Sequence, residues 1–244
     1  MTLLAGALLL VLAATPASAD HATTYQADLQ PLNDSGVTAT ADLSLADREL
    51  EITINAEGLA PGQPHAQHIH GVTGETSACP GPDADQDGDG LVSTAEGVPS
   101  YGGVLQSLTT EGDTSGDSAL AVDRFPVAGD DGSVSYSRTF ELPQDVADDL
   151  GNLHLVLHGI DLDDSGAYDG DAVSSLDDSL PLEATIPAAC GTLAAMPSGG
   201  VQTGAGGTAP ADGGATPMVA LFGLGLLGTG ALVARRRREA RIER

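Results

Sequence analysis

The sequence predicts an all-β fold, an antiparallel β-sandwich or barrel, for about residues 20–193. Short segments in which apolar and polar residues alternate recur along this region, and clusters of Gly, Pro, Asp and Asn separate them. Helical amphipathicity is weak everywhere except at residues 144–150. Aromatic residues make up only 3% of the chain and Trp is absent, so the core is predicted to consist of Val, Leu, Ile and Ala.

Nine segments have the length and the alternation of strands. In chain order they are residues 24–29, 37–45, 49–55, 65–70, 104–108, 119–125, 134–142, 153–158 and 183–186. Their near-regular spacing favours antiparallel strands joined by turns over parallel strands joined by helices.

The two ends of the chain predict export and anchoring. An apolar stretch at residues 3–14 precedes the small triplet Ala17-Ser18-Ala19, so residues 1–19 are interpreted as a signal peptide, with a buried helix as the alternative. Residues 218–234 are uninterruptedly apolar and are followed by four Arg, which predicts a transmembrane helix with a cytoplasmic tail at 235–244. A cell-wall sorting signal is the alternative, although no LPXTG motif is present.

Between these ends, residues 20–195 form the predicted extracellular domain, and the Gly-, Ala- and Pro-rich residues 196–217 form a stalk. The net charge is −26, and only Arg48, Arg124 and Arg138 precede the basic tail. This surface excludes nucleic acid as a partner, because a phosphate backbone requires a cationic face. It suits metal cations or high salt.

Cys79 and Cys190 are the only cysteines. Because disulfides persist in the oxidising environment outside the cell, we expect the two to pair. The alternative is two buried free thiols.

The stretch DQDGDGLVSTAE, residues 85–96, fits the twelve-residue calcium loop of EF-hands position by position. Its candidate ligands are Asp85, Asp87, Asp89, Ser93 and Glu96. Gly90 permits the sharp turn that the loop requires. Pro and Gly flank the loop on both sides, so we expect no EF-hand helices there. The alternative is a solvated acidic loop that matches by chance.

A second acidic loop has the same opening spacing but no acid at its twelfth position. Its candidate ligands are Asp161, Asp163, Ser165, Asp169 and Asp171. Both loops would bring several carboxylates close together, so calcium is expected to order the domain.

Histidines form a third candidate site. On a strand, His68 and His70 share a face about 7 Å apart, whereas His154 and His158 would lie about 13 Å apart. One ion could therefore bind His68, His70 and one of the later two, and such a site suits copper or zinc. The alternative is histidines that hydrogen-bond the backbone at strand ends.

Many of these residues, in this order, resemble the framework of the copper/zinc superoxide dismutases. They are Gly58, Leu59, Pro61, Gly62, His65, His68, Ile69, His70, Cys79, Leu155, Val156, Leu157, His158, Ala189, Cys190 and Gly191. The resemblance implies a Greek-key fold with copper ligands at His68, His70 and His158. It also implies a structural role for His65 and a disulfide between Cys79 and Cys190. The segment from His68 to Gly71 further resembles the core of secreted CHRD (chordin-type) domains.

The pattern also departs from that of the dismutases. No histidine lies between Cys79 and Tyr101, so the bridging ligand and the zinc ligands are missing. The family's anion-guiding arginine would fall near Pro187, and an acidic surface repels superoxide. We therefore expect little dismutase activity.

The principal functional hypothesis is a surface-anchored domain that binds calcium through residues 85–96 and has a binding or structural role. The first alternative is a copper-only superoxide dismutase-like enzyme that uses His68, His70 and His158. The second is a surface protein that sequesters copper at the same site without turnover.

Overall fold

The computed structural model describes residues 22–197, and this part of the chain is mostly antiparallel β-structure, as predicted. Its strands are β1 (Thr23–Pro31), β2 (Thr38–Ala46), β3 (Glu49–Glu57), β4 (Gln67–Gly71), β5 (Gly103–Ser107), β6 (Val134–Glu141), β7 (His154–His158), β8 (Pro187–Thr192) and β9 (Ala194–Ala195). Its α-helices are α1 (Thr94–Tyr101), α2 (Gln144–Asp149) and α3 (Leu182–Thr185).

The two predicted targeting segments, residues 1–19 and 218–234, lie outside the described residues, as does nearly all of the predicted stalk and the Arg-rich tail. Within residues 22–197, no helix is long and apolar enough to cross a membrane.

The strands form one curled sheet in the order β5-β4-β7-β8-β1-β2-β3-β6, and every neighbouring pair is antiparallel. β1 joins the two halves: Thr23 to Leu29 pair with β2, whereas Gln30 and Pro31 pair with β8. β9 adds a short pairing to β1. The curl brings one face of both halves around a common core.

Alternation along the strands determines which side chains enter that core. β2 and β3 bury every second residue, which is the pattern of strands with one solvated face. β4 and β7 are instead buried at every position. Ile69, Leu155 and Leu157 point into the main core, while Val156 on the opposite face packs with Tyr101 of α1. A second layer therefore covers the outer face of β4 and β7, and the histidines of these two strands lie beneath it.

Two of the nine predicted strands are wrong. Residues 119–125 form the end of one 3₁₀ turn (Gly116–Ser118) and a second one (Val122–Arg124), because their backbone N–H groups bond carbonyls two to three residues earlier. Asp113 fixes the first turn by accepting a hydrogen bond from Ser118 Oγ at 2.6 Å. The apolar residues of this segment alternate because several of them, such as Leu120 and Val122, line a cavity on the outer face of β4 and β7.

The predicted strand at residues 183–186 falls within α3 and the residue after it, and the strand itself, β8, starts at Pro187. Pro181 lies at the N-cap of α3, where an absent N–H is tolerated. Both oxygens of Glu183 accept backbone N–H groups from an adjacent loop, from Leu162 and Asp169.

The expectation that no helix flanks the first acidic loop is also wrong. α1 begins at Thr94 inside the loop, because Ser93 and Glu96 form a reciprocal capping box that satisfies the first N–H groups of the helix. This local stabilisation outweighs Pro99 and Gly97 farther along the helix. The loop therefore has an exit helix, like half of an EF-hand.

Candidate metal centre

Three histidines lie together on the outer face of the sheet. His68 and His70 flank Ile69 on β4, and His158 ends the neighbouring strand β7. One ring nitrogen of each lies within 4.8 Å of a ring nitrogen of the other two, and each side chain is at most 4% exposed. The ring centroids are 5.1–5.7 Å apart. We call these residues the histidine trio.

A backbone carbonyl orients each ring of the trio. The three hydrogen bonds are His68 Nε2 to Ala119 O at 3.1 Å, His70 Nδ1 to Gly102 O at 3.0 Å, and His158 Nδ1 to Thr185 O at 2.8 Å. With these N–H groups donating, the opposite nitrogen of each neutral ring carries a lone pair. Those nitrogens, His68 Nδ1, His70 Nε2 and His158 Nε2, are buried and have no hydrogen-bond partner within residues 22–197.

Buried polar atoms are nearly always paired, so three unpaired acceptors in one place need an explanation. A shared cation supplies one, because a metal ion accepts lone pairs from all three rings at once. Metal-binding histidines characteristically donate their other ring N–H to a carbonyl or carboxylate, which fixes the tautomer. All three rings of the trio have such a carbonyl.

Helix α1 braces the trio from both of its ends. At its start, Thr94 Oγ1 donates to the Thr185 carbonyl, which also accepts from His158. At its end, Tyr101 packs with its ring centroid 4.5 Å from that of His70, and the next carbonyl, that of Gly102, accepts from the same histidine. The positions of two rings of the trio therefore depend on α1.

Gly102 is required at the end of α1 for two reasons. Its φ of +83° lies in the left-handed region, which residues with a side chain rarely adopt. A Cβ at this position would also lie 2.4 Å from the carbonyl carbon of Gly71. Only glycine lets the helix end come this close to β4.

Burial keeps the trio neutral. It lowers the pKa of His70 to about 3 and that of His158 to about 4, and it holds the pKa of His68 well below the usual range. For His68 and His70, a positive charge on His158 would lower the pKa further. At neutral pH the rings are uncharged, which is the state that binds metal ions.

The metal-free protein is expected to lose stability as the pH falls below about 6.5. The unfolded chain binds protons on these histidines near pH 6.5, whereas the folded chain does so only near about pH 4 or below, so unfolding takes up protons between these limits. The free energy of unfolding should fall by up to about 1.4 kcal/mol per pH unit for each ring. Urea unfolding at pH 7 and pH 5 in the presence of a chelator measures this, and a smaller slope is expected for His70→Gln. Equal slopes would contradict the assignment.

A cavity of about 30 Å³ adjoins the trio, enough for a water molecule or an ion. Besides the three rings, it is lined by Ala66, Thr94, Val104, Ala119, Leu120, Val122, Leu176, Ala184 and Thr185. None of these side chains is charged. Leu120 and Leu176 are about two-fifths exposed, so they form an apolar rim between the cavity and solvent.

Two more histidines of residues 22–197 lie outside the trio. His65 Nδ1 is 3.0 Å from the His158 carbonyl oxygen, and the hydroxyl of Tyr168 lies beside the same ring, so His65 supports the backbone at the end of β7. His154, four residues before His158, lies beside the disulfide. Strand spacing predicted that one ion could not easily bind both His154 and His158, and within residues 22–197 the two belong to different clusters of metal-binding side chains.

The predicted disulfide is confirmed: Cys79 and Cys190 are bonded, with Cα atoms 5.8 Å apart. Cys190 is on β8 and is 2% exposed, whereas Cys79 lies in the loop after β4 and is partly exposed. The bond ties the segment before the first acidic loop to the sheet.

The first acidic loop brings together part of its predicted ligand set. Oxygens of Asp85, Asp87 and Glu96 lie within 4.8 Å of one another. Asp89 is not part of this cluster, and its side chain accepts the N–H of Leu91 at 2.8 Å. Ser93 Oγ donates to the Glu96 carboxylate. Hydrogen bonds from backbone N–H groups and from Ser93 lower the pKa of Glu96, which keeps it ionised.

The second acidic loop closes differently from its predicted form. Asp161 and Asp163 lie within 4.8 Å of Glu183, a residue of α3 that sequence reasoning did not assign to the loop. Glu183 is 5% exposed and supplies the acid that the twelfth position lacks. Asp169 and Asp171 are not in this cluster. The backbone N–H of Ser165 donates to the Asp161 carboxylate at 3.1 Å. The only sequence signal for Glu183 was an isolated acid in an apolar segment.

A comparison of the chain with known protein families finds no match, and a comparison with curated proteins finds none either. The described residues define a class of protein, an antiparallel β-domain with one disulfide and with clusters of side chains of the kinds that bind metal ions. The chemistry of those clusters carries the functional inference.

Proposed function

We propose that this protein is an exported metal-binding β-domain whose principal site, the histidine trio, binds one copper ion. The observation that carries the proposal is a cluster of three buried histidines, each with a ring nitrogen within 4.8 Å of the others and each with one ring nitrogen that has no hydrogen-bond partner among the described residues. In this proposal, the dismutase-like Greek-key framework of the sequence provides the scaffold, and the segments at 1–19 and 218–234 direct the domain to the cell surface.

Copper is the ion that this donor set favours most. Imidazole nitrogens suit copper, zinc, iron and nickel, and Cu²⁺ is the most tightly bound divalent ion in the first-row series. Carboxylates, which calcium and magnesium prefer, do not line the trio's cavity. The neutral rings need lose no proton to bind, so binding persists at mildly acidic pH.

The surroundings of the trio favour holding copper over turning over superoxide. An anionic substrate needs a cationic path, and no charged side chain lines the cavity. Arg124 follows the cavity-lining residue Val122 closely in the sequence, but its side chain donates to backbone carbonyls of the loop at residues 109–113, and Arg138 does the same. A copper-only dismutase is the second candidate, because His68, His70 and His158 are the copper ligands that the resemblance to the dismutases implies. A superoxide assay of the copper-loaded chain separates the two.

Metal analysis of the purified full-length chain tests the proposal. After exposure to trace copper, zinc and calcium followed by dialysis, mass spectrometry should find about one copper per wild-type chain. His68→Ala should contain almost none. His154→Ala, which removes a buried histidine outside the trio, is the matched control and should retain copper under oxidising conditions. A wild type without copper, or equal copper in His68→Ala, would refute the proposal.

We further propose that the two acidic loops bind calcium and thereby hold the layer over the trio. Carboxylates packed this closely repel one another unless a cation lies between them. α1 starts within the first loop and braces His70 and His158, and α3 carries both Glu183 and the carbonyl of Thr185. Calcium in either loop would therefore stabilise a helix that orients the histidines.

Calcium is expected to raise the thermal stability of the chain. Binding to the folded state alone adds about 2.7 kcal/mol per site when calcium is at 100 times its dissociation constant. Scanning calorimetry with calcium or with a chelator measures the shift. Asp85→Asn and Glu183→Gln should each reduce it, whereas Asp131→Asn, in an acidic turn outside both clusters, should not. If calcium does not change the unfolding temperature of the wild type, both calcium sites are ruled out.

A further inference from the structure

His154 and the disulfide form a separate cluster of metal-binding atoms. A ring nitrogen of His154 and the sulfurs of Cys79 and Cys190 all lie within 4.8 Å of one another. His154 starts β7 and Cys190 lies on the adjacent strand β8, where Cys190 pairs with Val156. The cluster therefore lies on the same sheet face as the trio but shares none of its ligands.

The ring of His154 is arranged as the rings of the trio are. It is 2% exposed, its Nδ1 lies 3.1 Å from the hydroxyl oxygen of Thr192, and its Nε2 is buried with no hydrogen-bond partner. When the threonine hydroxyl accepts from Nδ1, the lone pair of the neutral ring is on Nε2 and can bind a metal ion. The disulfide sulfurs beside it are weak acceptors and do not donate a hydrogen bond to this nitrogen. A ring nitrogen of His154 thus lies within 4.8 Å of two sulfurs that donate no hydrogen bond to it in the oxidised state.

We propose that Cys79, His154 and Cys190 form a second metal site, which exists when the disulfide is reduced and takes a thiophilic ion of the zinc(II) or copper(I) class. Two thiolates and one imidazole are the protein ligands of known three-ligand zinc sites, with water or another group in the fourth position. The cysteines are already positioned, because their Cα atoms are 5.8 Å apart on a braced loop and a central strand.

Reduction of the disulfide requires a dithiol donor and proceeds by two successive thiol–disulfide exchanges. A thiolate of the donor attacks the sulfur of Cys79, the more exposed residue of the pair, the disulfide bond breaks, and Cys190 leaves as a thiolate beside His154. The second thiol of the donor then attacks the mixed disulfide and releases Cys79, so that the donor is oxidised and the protein gains two electrons and two protons. A divalent ion that binds both sulfurs displaces those two protons into solvent. The reverse sequence restores the disulfide and releases the ion.

Burial makes the direction of the exchange specific. Cys190 is almost fully buried and Cys79 is partly exposed, so we expect an external thiolate to approach from the Cys79 side. The metal ion would protect the reduced pair from reoxidation, because thiolates bound to a metal are poor nucleophiles toward external oxidants. The same cluster would therefore hold the chain together either as a disulfide or as a metal complex.

Cobalt(II) binding to the full-length chain, before and after reduction with a water-soluble phosphine, tests this proposal. The histidine trio is present in both redox states, so the difference between them isolates the new site. The reduced wild type should bind one more cobalt ion than the oxidised wild type and should gain the near-ultraviolet absorption of thiolate-to-cobalt charge transfer. His154→Ala should bind this additional ion about tenfold or more weakly. His158→Ala, which removes a trio ligand from the same strand, should keep it.

Three results would overturn the proposal. One is equal cobalt binding by the oxidised and reduced chains, and another is an additional ion that binds His154→Ala as tightly as the wild type. The third concerns the wild type alone: zinc added to the reduced chain should slow alkylation of both thiols, and unprotected thiols would exclude the site. If reduction unfolds the chain, zinc should restore its circular dichroism spectrum, and failure to do so counts equally against the site.

Discussion

Replacement of His158 by Ala is expected to lower the affinity of the chain for Cu²⁺ by at least about 100-fold. Loss of one of three ligands should exceed the 10- to 100-fold cost of losing a group that only orients a ligand. His158 is also the residue through which the trio contacts α3, since its ring donates to the Thr185 carbonyl at 2.8 Å. Competition titration against a copper chelator of known affinity measures the change.

The matched control for this prediction is His154→Ala in the oxidised protein. It removes the other buried histidine of β7 and should change the copper affinity less than threefold. Circular dichroism and the urea midpoint show whether each variant is folded. A His158→Ala chain that is folded and binds copper as the wild type does would exclude the trio as the copper site.

Removal of the disulfide is expected to cost about 4–5 kcal/mol in the free energy of unfolding. The cysteines are 111 residues apart, so the bond closes a long loop and removes much conformational entropy from the unfolded chain. The double variant Cys79→Ser/Cys190→Ser isolates this effect, because it leaves no unpaired thiol. Denaturant unfolding at neutral pH with a chelator present measures the loss.

This second prediction has its own internal control. Reduced wild type without metal should be destabilised by the same amount as the double serine variant, because both lack the cross-link. A loss below about 1 kcal/mol would mean that the unfolded chain is already compact around this loop. Restoration of stability by zinc in the reduced wild type, but not in the serine variant, would separate the metal complex from the cross-link.

The sequence predicted the sheet well where alternation was regular. β2 and β3 bury every second residue, so their apolar pattern alone defines a strand and its inner face. The same geometry correctly predicted that His68 and His70 share a face. Residues 119–125 show the limit of this reasoning, because an apolar pattern there arises from a loop that packs over buried histidines.

Only those parts of the candidate site that lie close together in the sequence could be predicted from residue spacing. The choice of His158 over His154 came from the resemblance, and it is the fold that brings His158 beside β4. Glu183 lies far along the chain from the loop that it completes, so no local motif includes it. The carbonyls that orient the trio come from three separate segments and have no side-chain signature.

X-ray absorption at the copper edge of the copper-loaded full-length chain tests the central claim most directly. The account predicts one copper ion with three imidazole nitrogens at about 2.0 Å, the distance typical of histidine ligands to such ions. The imidazole scattering should weaken in His70→Gln and should persist in His154→Ala. A first coordination sphere of oxygen atoms alone, or of sulfur, would contradict the assignment of the histidine trio as the copper site.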